Sequence, residues 1–240
     1  MNLILLHDAD FISAERVVLR DRRREHIRAV HRAEVGDQLR VGRLNGLCGN
    51  GTILRSSGDE LELEVRLDTP PPAPLPLTLL LALPRPKMLK RILQTVSALG
   101  VKDIYLINSY RVDKSYWSSP LLQPEQFNEQ LILGLEQARD TQLPRVELRP
   151  RFKPFVEDET PELIRGTTAY VAHPGVDRAC PSGTQGATTL AIGPEGGFIP
   201  YEVELLQNNG FLPVSLGERI LRVETAVPVL LTRLAPVLDQ

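Results

Sequence analysis

Two glycine-marked turns in the last quarter of the chain carry the residue types best suited to chemistry. The first, residues 192–198, reads IGPEGGF, and the second, residues 216–222, reads LGERILR. Glycine lets a backbone approach a ligand closely. The spacing matches neither common phosphate-loop signature, and Glu195 would repel a phosphate. The pattern therefore favours a small ligand with a cationic centre, while two ordinary tight turns without a ligand are the alternative.

Regular elements on both sides position these turns. Each turn follows a short apolar run, and between them Pro200 suits the first position of a helix and Gly210 its end. The order strand, turn, helix, strand, turn, helix indicates an α/β fold. Ligands of open α/β sheets bind at the carboxyl ends of strands, so the two turns are placed to line one pocket.

The residues of both turns resemble the motifs of a known family. GPEGGF from Gly193 and LGxRILRxETA from Leu216 to Ala226 are similar to the paired C-terminal motifs of the family that methylates N3 of a uridine in small-subunit ribosomal RNA. That family belongs to the SPOUT methyltransferases. The resemblance implies a SPOUT-type parallel sheet with a C-terminal trefoil knot, S-adenosylmethionine (SAM) as cofactor, 16S ribosomal RNA as partner, and a homodimer.

The resemblance also implies a cofactor site. It combines both turns with a strand end before them and the helix start after them: His173, Ile192, Gly193, Pro194, Glu195, Gly196, Gly197, Leu216, Gly217, Ile220, Leu221, Arg222, Thr225 and Ala226. Negative charge develops on the uracil oxygens when N3 loses its proton, and a guanidinium would stabilise it.

For that guanidinium we expect Arg222 first and Arg219 second. Glu224 would remove the proton or hold the ribose. Its alternative role is helix N-terminal electrostatics beside Thr225, which we expect to cap a helix from Thr225 to Leu238. That apolar helix belongs to the core or to a dimer face.

An arginine-rich stretch near the N terminus suggests a second kind of contact. The stretch from Arg16 to Arg43 contains nine arginines and four carboxylates, although the whole chain carries a net charge of −2. Asp21–Ala33 reads as an amphipathic helix with a basic face, which is either an RNA contact or a solvated surface. With one loop residue, the candidate RNA contacts are Arg20, Arg22, Arg23, Arg24, His26, Arg28, Arg32 and Arg111.

A proline-rich linker, residues 69–76, divides the chain into two predicted domains. Residues 1–68 hold several short strand patterns and one helix, which predicts a small β-barrel. His26–Asp37 resembles the PUA-like RNA-binding domain of the same family. Residues 77–240 alternate strand and helix patterns, which predicts the parallel sheet of the methyltransferase domain.

The cysteine content and the hydropathy pattern limit the classes of protein to which this chain can belong. Two distant cysteines, Cys48 and Cys180, indicate neither a disulfide framework nor a metal cluster, so we expect no metal. No membrane span or secretory signal is visible, so we expect no membrane contact and a cytoplasmic protein. Three alternatives stay open: methylation at another RNA site, a non-catalytic RNA-binding or ribosome-assembly module, and a small-molecule enzyme.

Overall fold

A computed structural model of the chain describes residues 2–236, without the side chains of residues 30 and 31. It divides into two compact units. The first contains the chain up to Ala73 together with Leu131–Leu143, and the second contains Pro74–Gln130 and the chain from Pro144 onward. The segment Leu131–Leu143 was not anticipated in the first unit. Its Leu135 packs with Leu3 and Leu5.

The first unit is built on one six-stranded sheet in the order β1-β4-β5-β6-β3-β2. Of the strand pairs that residues 2–236 form in this sheet, only β1 and β4 are parallel. In β6 the residues Leu61, Leu63 and Val65 are buried and alternate with glutamates, as expected for a strand with one face on a core. The strands are β1 (Ile4–Leu6), β2 (Phe11–Ser13), β3 (Arg16–Leu19), β4 (Gln38–Arg43), β5 (Cys48–Ser57) and β6 (Glu60–Thr69).

The basic stretch forms a short helix, α1 (Arg22–His26), which continues as one wide turn, Ile27–His31. Asp21 caps it by accepting the backbone N–H of Arg23 at 2.9 Å. Arg32 ends it in the left-handed region, with φ of 51°. Ile27 anchors the helix in the core of the sheet. The side chains of Val30 and His31, part of the predicted helical pattern, lie outside the described residues.

The second unit contains a six-stranded, all-parallel sheet in the order β12-β10-β11-β7-β8-β9. Strand β7, one of the two middle strands, is apolar apart from Thr78, as expected for a strand that is covered on both faces. The chain leaves β9 and returns on the other side of β7, which creates a switch point in the strand order. The strands are β7 (Leu77–Ala82), β8 (Asp103–Ile107), β9 (Arg145–Arg149), β10 (Thr168–Ala172), β11 (Thr188–Ile192) and β12 (Leu212–Val214).

Helices connect these strands as the apolar spacing predicts. Gly100 follows the first of them with φ of 85°, and Gly210 follows the fifth with φ of 93°. The helices are α2 (Pro86–Ala98), α3 (Pro124–Ala138), α4 (Phe152–Pro154), α5 (Thr160–Leu163), α6 (Pro200–Asn208) and α7 (Val223–Leu234). The boundary between the two units falls within α3, after Gln130. No helix between residues 2 and 236 has the length and apolar character needed to cross a membrane.

The start of the last helix differs from the prediction. Helix α7 begins at Val223, with the extended residue Arg222 as its N-cap, so Thr225 does not cap it. The carbonyl of Arg222 already accepts the N–H of Ala226 at 2.8 Å, which closes the first helical turn two residues earlier than expected. The helix ends at Leu234 because Ala235 precedes Pro236 and takes an extended conformation. The predicted end at Leu238 lies outside the described residues.

Candidate active site

The carboxyl ends of three neighbouring strands, β12, β10 and β11, surround one cavity of about 300 Å³. This volume falls within the range of small-molecule sites. Both glycine turns reach the cavity. It contains every predicted cofactor residue except Arg222 and Thr225: His173, Ile192, Gly193, Pro194, Glu195, Gly196, Gly197, Leu216, Gly217, Ile220, Leu221 and Ala226.

The first turn has a backbone path that only glycine permits at two positions. A Cβ added to Gly193 would lie 2.8 Å from the backbone nitrogen of Phe198. Gly197 has φ of 71°, and its N–H donates to the carbonyl of Pro194 at 2.7 Å. The side chain of Phe198, at the end of the turn, is buried and packs against the ring of Phe152, which anchors the turn. The turn therefore presents its backbone to the cavity on a fixed base.

Glu195 fixes the same turn from the other side. Its carboxylate accepts the backbone N–H of Arg85 at 3.0 Å, at the N-cap of α2. The side chain also lines the cavity. It can thus shape the turn and place negative charge near a cationic ligand at the same time.

The second turn is held by the loop that joins β10 to β11. The N–H of Ser215 donates to Arg178 at 2.9 Å, and the N–H of Cys180 donates back to Ser215 at 2.8 Å. Gly217 follows with φ of 104°. Beyond it Ile220 is 81% exposed. The turn is therefore fixed at its start and presents an apolar side chain to solvent at its far end.

His173 brings a polar side chain to the cavity from the end of β10. Its backbone N–H donates to Val214 at 2.9 Å, which ties β10 to β12. Its Nδ1 atom is buried and has no hydrogen-bond partner among residues 2–236. Burial, helped by the nearby charge of Arg111, lowers the pKa of His173. The imidazole is therefore neutral at physiological pH.

Comparison with known proteins identifies the family. The model of the family described as RNA methyltransferase domain matches residues 71–235. A ribosomal RNA small subunit methyltransferase E from Treponema pallidum is 31% identical over 232 residues, which cover 94% of this chain and 87% of that protein. This chain belongs to the ribosomal RNA small subunit methyltransferase E family.

Solved structures share the fold over nearly the whole chain. A putative methyltransferase from Legionella pneumophila, solved with bound SAM, superposes with a TM-score of 0.75 at 24% identity, covering 96% of this chain and 95% of that one. A ribosomal RNA small subunit methyltransferase E from Neisseria gonorrhoeae, bound to SAM, gives 0.74 at 23% identity with the same coverage. The α/β fold with a parallel sheet that the resemblance implied is confirmed.

The predicted catalytic pair lies outside this cavity. Arg222 is exposed at the N-cap of α7, and Glu224 is half-buried in the first helical turn. Neither lines the cavity, whereas Arg219 does. The reason is the early start of α7, which turns the chain into helix directly after Leu221. Glu224 stands where its charge favours the helix N terminus, the alternative role that the sequence suggested.

Several cavity residues were missed from the sequence. Ala172 and Pro174 flank His173, and their position at a strand end could have indicated them. Val223 and Leu230 share one face of α7 with Ala226, a spacing of three and four residues that a helix starting at Val223 would have revealed. The others are Val214 and Ser215 at the end of β12. Within the described residues no cluster of His, Cys, Asp or Glu could hold a metal.

Two of the three arginines of α1 are missing from the exposed basic face expected from the sequence. Arg23 is 3% exposed and donates to Leu5 at 2.6 Å, to Asp10 at 2.6 and 2.7 Å, and to Asp21 at 2.7 Å. Arg24 is also buried and donates to the carbonyl of Gly58. These two guanidiniums form contacts within the first unit and are too buried to contact RNA.

Arg22 forms an ion pair with the buried carboxylate of Glu136. Two hydrogen bonds of 3.0 and 3.1 Å join them side by side. Burial raises the pKa of Glu136, and Arg22 opposes that rise.

The other candidate RNA contacts of the first unit differ in availability. Arg20 pairs with Glu60 at 2.9 Å, and His26 is half-buried. Arg28 and Arg32 are exposed, and neither forms an ion pair with a described residue. The available positive charge near α1 is therefore smaller than the sequence count suggested.

Proposed function

We propose that this chain is a SAM-dependent methyltransferase that methylates N3 of a uridine in the 16S ribosomal RNA of the small subunit. One observation carries the proposal: both family motifs and the end of β10 meet at a single cavity at the carboxyl ends of parallel strands. The names of the Treponema and Neisseria relatives and the SAM bound in two similar structures support the same reaction. Ribosomal RNA as substrate also suits a cytoplasmic location.

The cavity residues fit such a cofactor. Apolar side chains such as Leu216, Leu221 and Val223 would pack against its adenine, while backbone groups of the two turns would hydrogen-bond its polar edges. Glu195 places a carboxylate where a sulfonium would be attracted. When bound, the cofactor supplies a methyl group on a positively charged sulfur.

The protein must then position the uracil and favour loss of its proton. The N3 atom first gives its proton to a base, which leaves negative charge on the ring oxygens. It then takes the methyl group, and this charge is removed. Arg219, which lines the cavity, is placed to hold a charged or polar part of either reactant. For Arg222, which is exposed, we propose a contact with the RNA outside the cavity, and for Glu224 we propose the helix N-terminal role.

The finer features of the family fold belong to the same proposal. The loop between β10 and β11 bonds to Ser215 where the chain leaves β12, and its Gly183 and Thr184 bond to Arg233 and Leu234 of α7. This wrapping supports a trefoil knot in which the C-terminal segment passes through the loop. Ile220 and Leu221 of the second turn and Val229 of α7 are exposed apolar side chains, and they support a homodimer formed near the site.

We further propose that residues 1–68 are a PUA-like RNA-binding domain, that residues 69–76 are a linker, and that residues 77–240 are the methyltransferase domain. The separate sheet and core of the first unit support this division. The exposed Arg28 and Arg32 are the proposed contacts of the first domain with phosphates.

Methylation of ribosomal RNA tests the proposal. Purified protein and labelled SAM are incubated with 16S RNA and with assembled small subunits that lack the modification. The RNA is then digested and its nucleosides are identified by mass spectrometry. Because a methyl group on N3 blocks base pairing, primer extension should stop at the modified uridine and locate it.

Three outcomes separate the alternatives. N3-methyluridine formed by the wild type supports the proposal. A different methylated nucleoside would assign the same enzyme class to another RNA site. SAM binding or RNA binding without any methyl transfer would favour the non-catalytic module.

A further inference from the structure

Arg111 lies across the first glycine turn although it belongs to neither motif. Its guanidinium donates to the carbonyl of Gly196. The side-chain carbons rest on the same residue, since a Cβ added to Gly196 would lie 2.8 Å from Cδ of Arg111. Its charge also acts on His173, which lines the cavity. The guanidinium therefore lies beside the first turn, at the rim of the cavity and outside the set of residues that line it.

The backbone around Arg111 is fixed by a buried carboxylate. Glu202 of α6 is 3% exposed, and it accepts the N–H of Tyr110 at 2.7 Å and that of Ile199 at 3.0 Å. On the other side of Arg111, Val112 is buried. The segment is therefore held before and after Arg111, so its charge is preorganised rather than carried on a mobile loop.

The charge of Arg111 is not neutralised. Arginines such as Arg22, Arg23 and Arg149 pair with carboxylates, but none of residues 2–236 forms an ion pair with Arg111. The charge of Arg111 acts on His173, whose imidazole is neutral, and Glu202 beside Tyr110 uses both of its carboxylate oxygens to accept backbone N–H groups. An exposed, fixed and unpaired guanidinium at the rim of a ligand cavity is suited to stabilise charge that develops in a bound substrate.

We propose that Arg111 binds an oxygen of the target uracil and stabilises the anion that forms when N3 loses its proton. This inference rests on the proposed function and names the residue that lowers the cost of deprotonation. The N3–H bond breaks, the proton passes to a solvent base, and the electron pair stays on the ring, shared with the oxygen that Arg111 contacts. Arg219, on the less constrained second turn, is not needed for this role.

The test separates charge from packing. Arg111→Met keeps the aliphatic contact with Gly196 and removes the charge, while Arg111→Lys keeps the charge without the planar fork. Arg91→Ala, an exposed arginine of α2 away from the cavity, is the matched control. Methyl transfer is measured from pH 6 to 10 on RNA containing uridine or 5-fluorouridine, whose electron-withdrawing fluorine makes N3 more acidic. SAM affinity is measured by calorimetry.

We expect kcat for Arg111→Met to fall about 100-fold on uridine RNA near neutral pH. The loss should shrink at alkaline pH and on 5-fluorouridine RNA, where deprotonation needs less help, and Arg111→Lys should recover part of it. SAM affinity should stay within about twofold, and Arg91→Ala should match the wild type.

Two results would overturn the inference while the wild type is active. One is an equal loss on both RNAs and at all pH values. The other is a loss of SAM affinity that parallels the loss of rate, which would assign Arg111 to the shape of the first turn. A wild type that binds SAM but transfers no methyl group would overturn the proposed function itself, and this inference with it.

Discussion

The arginines of α1 differ in their surroundings from the two arginines at and beside the cavity, Arg219 and Arg111. In the first unit, Arg22 and Arg23 are matched to carboxylates, and Arg23 is almost completely buried. In the second unit, Arg111 and Arg219 are exposed and without ion pairs among the described residues. Similar side chains thus stabilise a fold in one region and remain available to ligands in the other.

This difference shows why a count of charges does not define a binding surface. The stretch Arg16–Arg43 is strongly basic in sequence, yet its most buried arginine, Arg23, is paired with two carboxylates, one of which, Asp21, belongs to the same stretch. Asp10, the other carboxylate that forms an ion pair with Arg23, lies outside that stretch. Functional positive charge is better recognised by the absence of a partner than by its density along the chain.

The largest effect should come from Arg23→Ala. Removing this guanidinium leaves the Asp10 carboxylate without its positive partner and the carbonyl of Leu5 without this donor, so we expect a loss of about 4 kcal/mol in the free energy of unfolding. Urea denaturation measures it. Arg28→Ala, exposed on the same segment, is the control and should change stability by less than about 0.5 kcal/mol. A loss below about 1 kcal/mol for Arg23→Ala would contradict the structural role.

Arg22→Ala should have the next largest effect, about 3 kcal/mol, because it leaves the Glu136 carboxylate buried without its partner. Adding Glu136→Leu to the same variant should restore most of the stability, since the unpaired charge is then gone. Chemical denaturation of the single and double variants measures the coupling. Equal stability of Arg22→Ala and the double variant would argue against the buried ion pair.

Arg28→Ala and Arg32→Ala should each weaken RNA binding by about 1 kcal/mol without lowering stability. Each change removes one exposed cation, so the slope of log affinity against log salt concentration should fall by about one. Filter binding at several salt concentrations measures this. An unchanged slope in both variants would remove the basic segment from the RNA interface.

The smallest effect concerns His173. Its pKa is lowered in the folded state, so as pH falls from 7 to 5 the unfolded chain takes up a proton more readily than the folded one. Stability is therefore present above the ordinary histidine pKa and is lost as the pH falls. His173→Asn should lose less stability over this range than the wild type. Thermal melts across pH measure the difference, and parallel curves would contradict the assigned shift.

Much of the fold followed from the sequence because its signals are local. The apolar run of β7 and the glycines that end α2 and α6 were enough to predict the parallel sheet and its helices. The two turns were enough to predict most of the residues that line the cavity. The position of Arg222 could not be read in the same way. It depends on where α7 begins, and an extended residue before a helix has no strong local signature.

Long-range partners explain the remaining misses. Asp10 lies 13 residues before Arg23, and Glu136 lies 114 residues after Arg22, so neither pairing is visible as a pattern. The fixing of Arg111 depends in the same way on Glu202, which is 92 residues from Tyr110. Arginines that the sequence placed on one surface were separated by contacts that only the folded chain defines.

Calorimetric titration with SAM tests most directly the claim that the two turns form one cofactor site. The informative variant is Gly217→Ala, since Gly217 lines the cavity with φ of 104°. Gly186→Ala is the matched control, because Gly186 has φ of 84°, does not line the cavity and has open space around it. We predict wild-type binding tighter than about a millimolar. Gly217→Ala should weaken it at least tenfold and Gly186→Ala by less than about twofold, at comparable melting temperatures. Absence of wild-type binding, or equal weakening by both variants, would contradict the cofactor site.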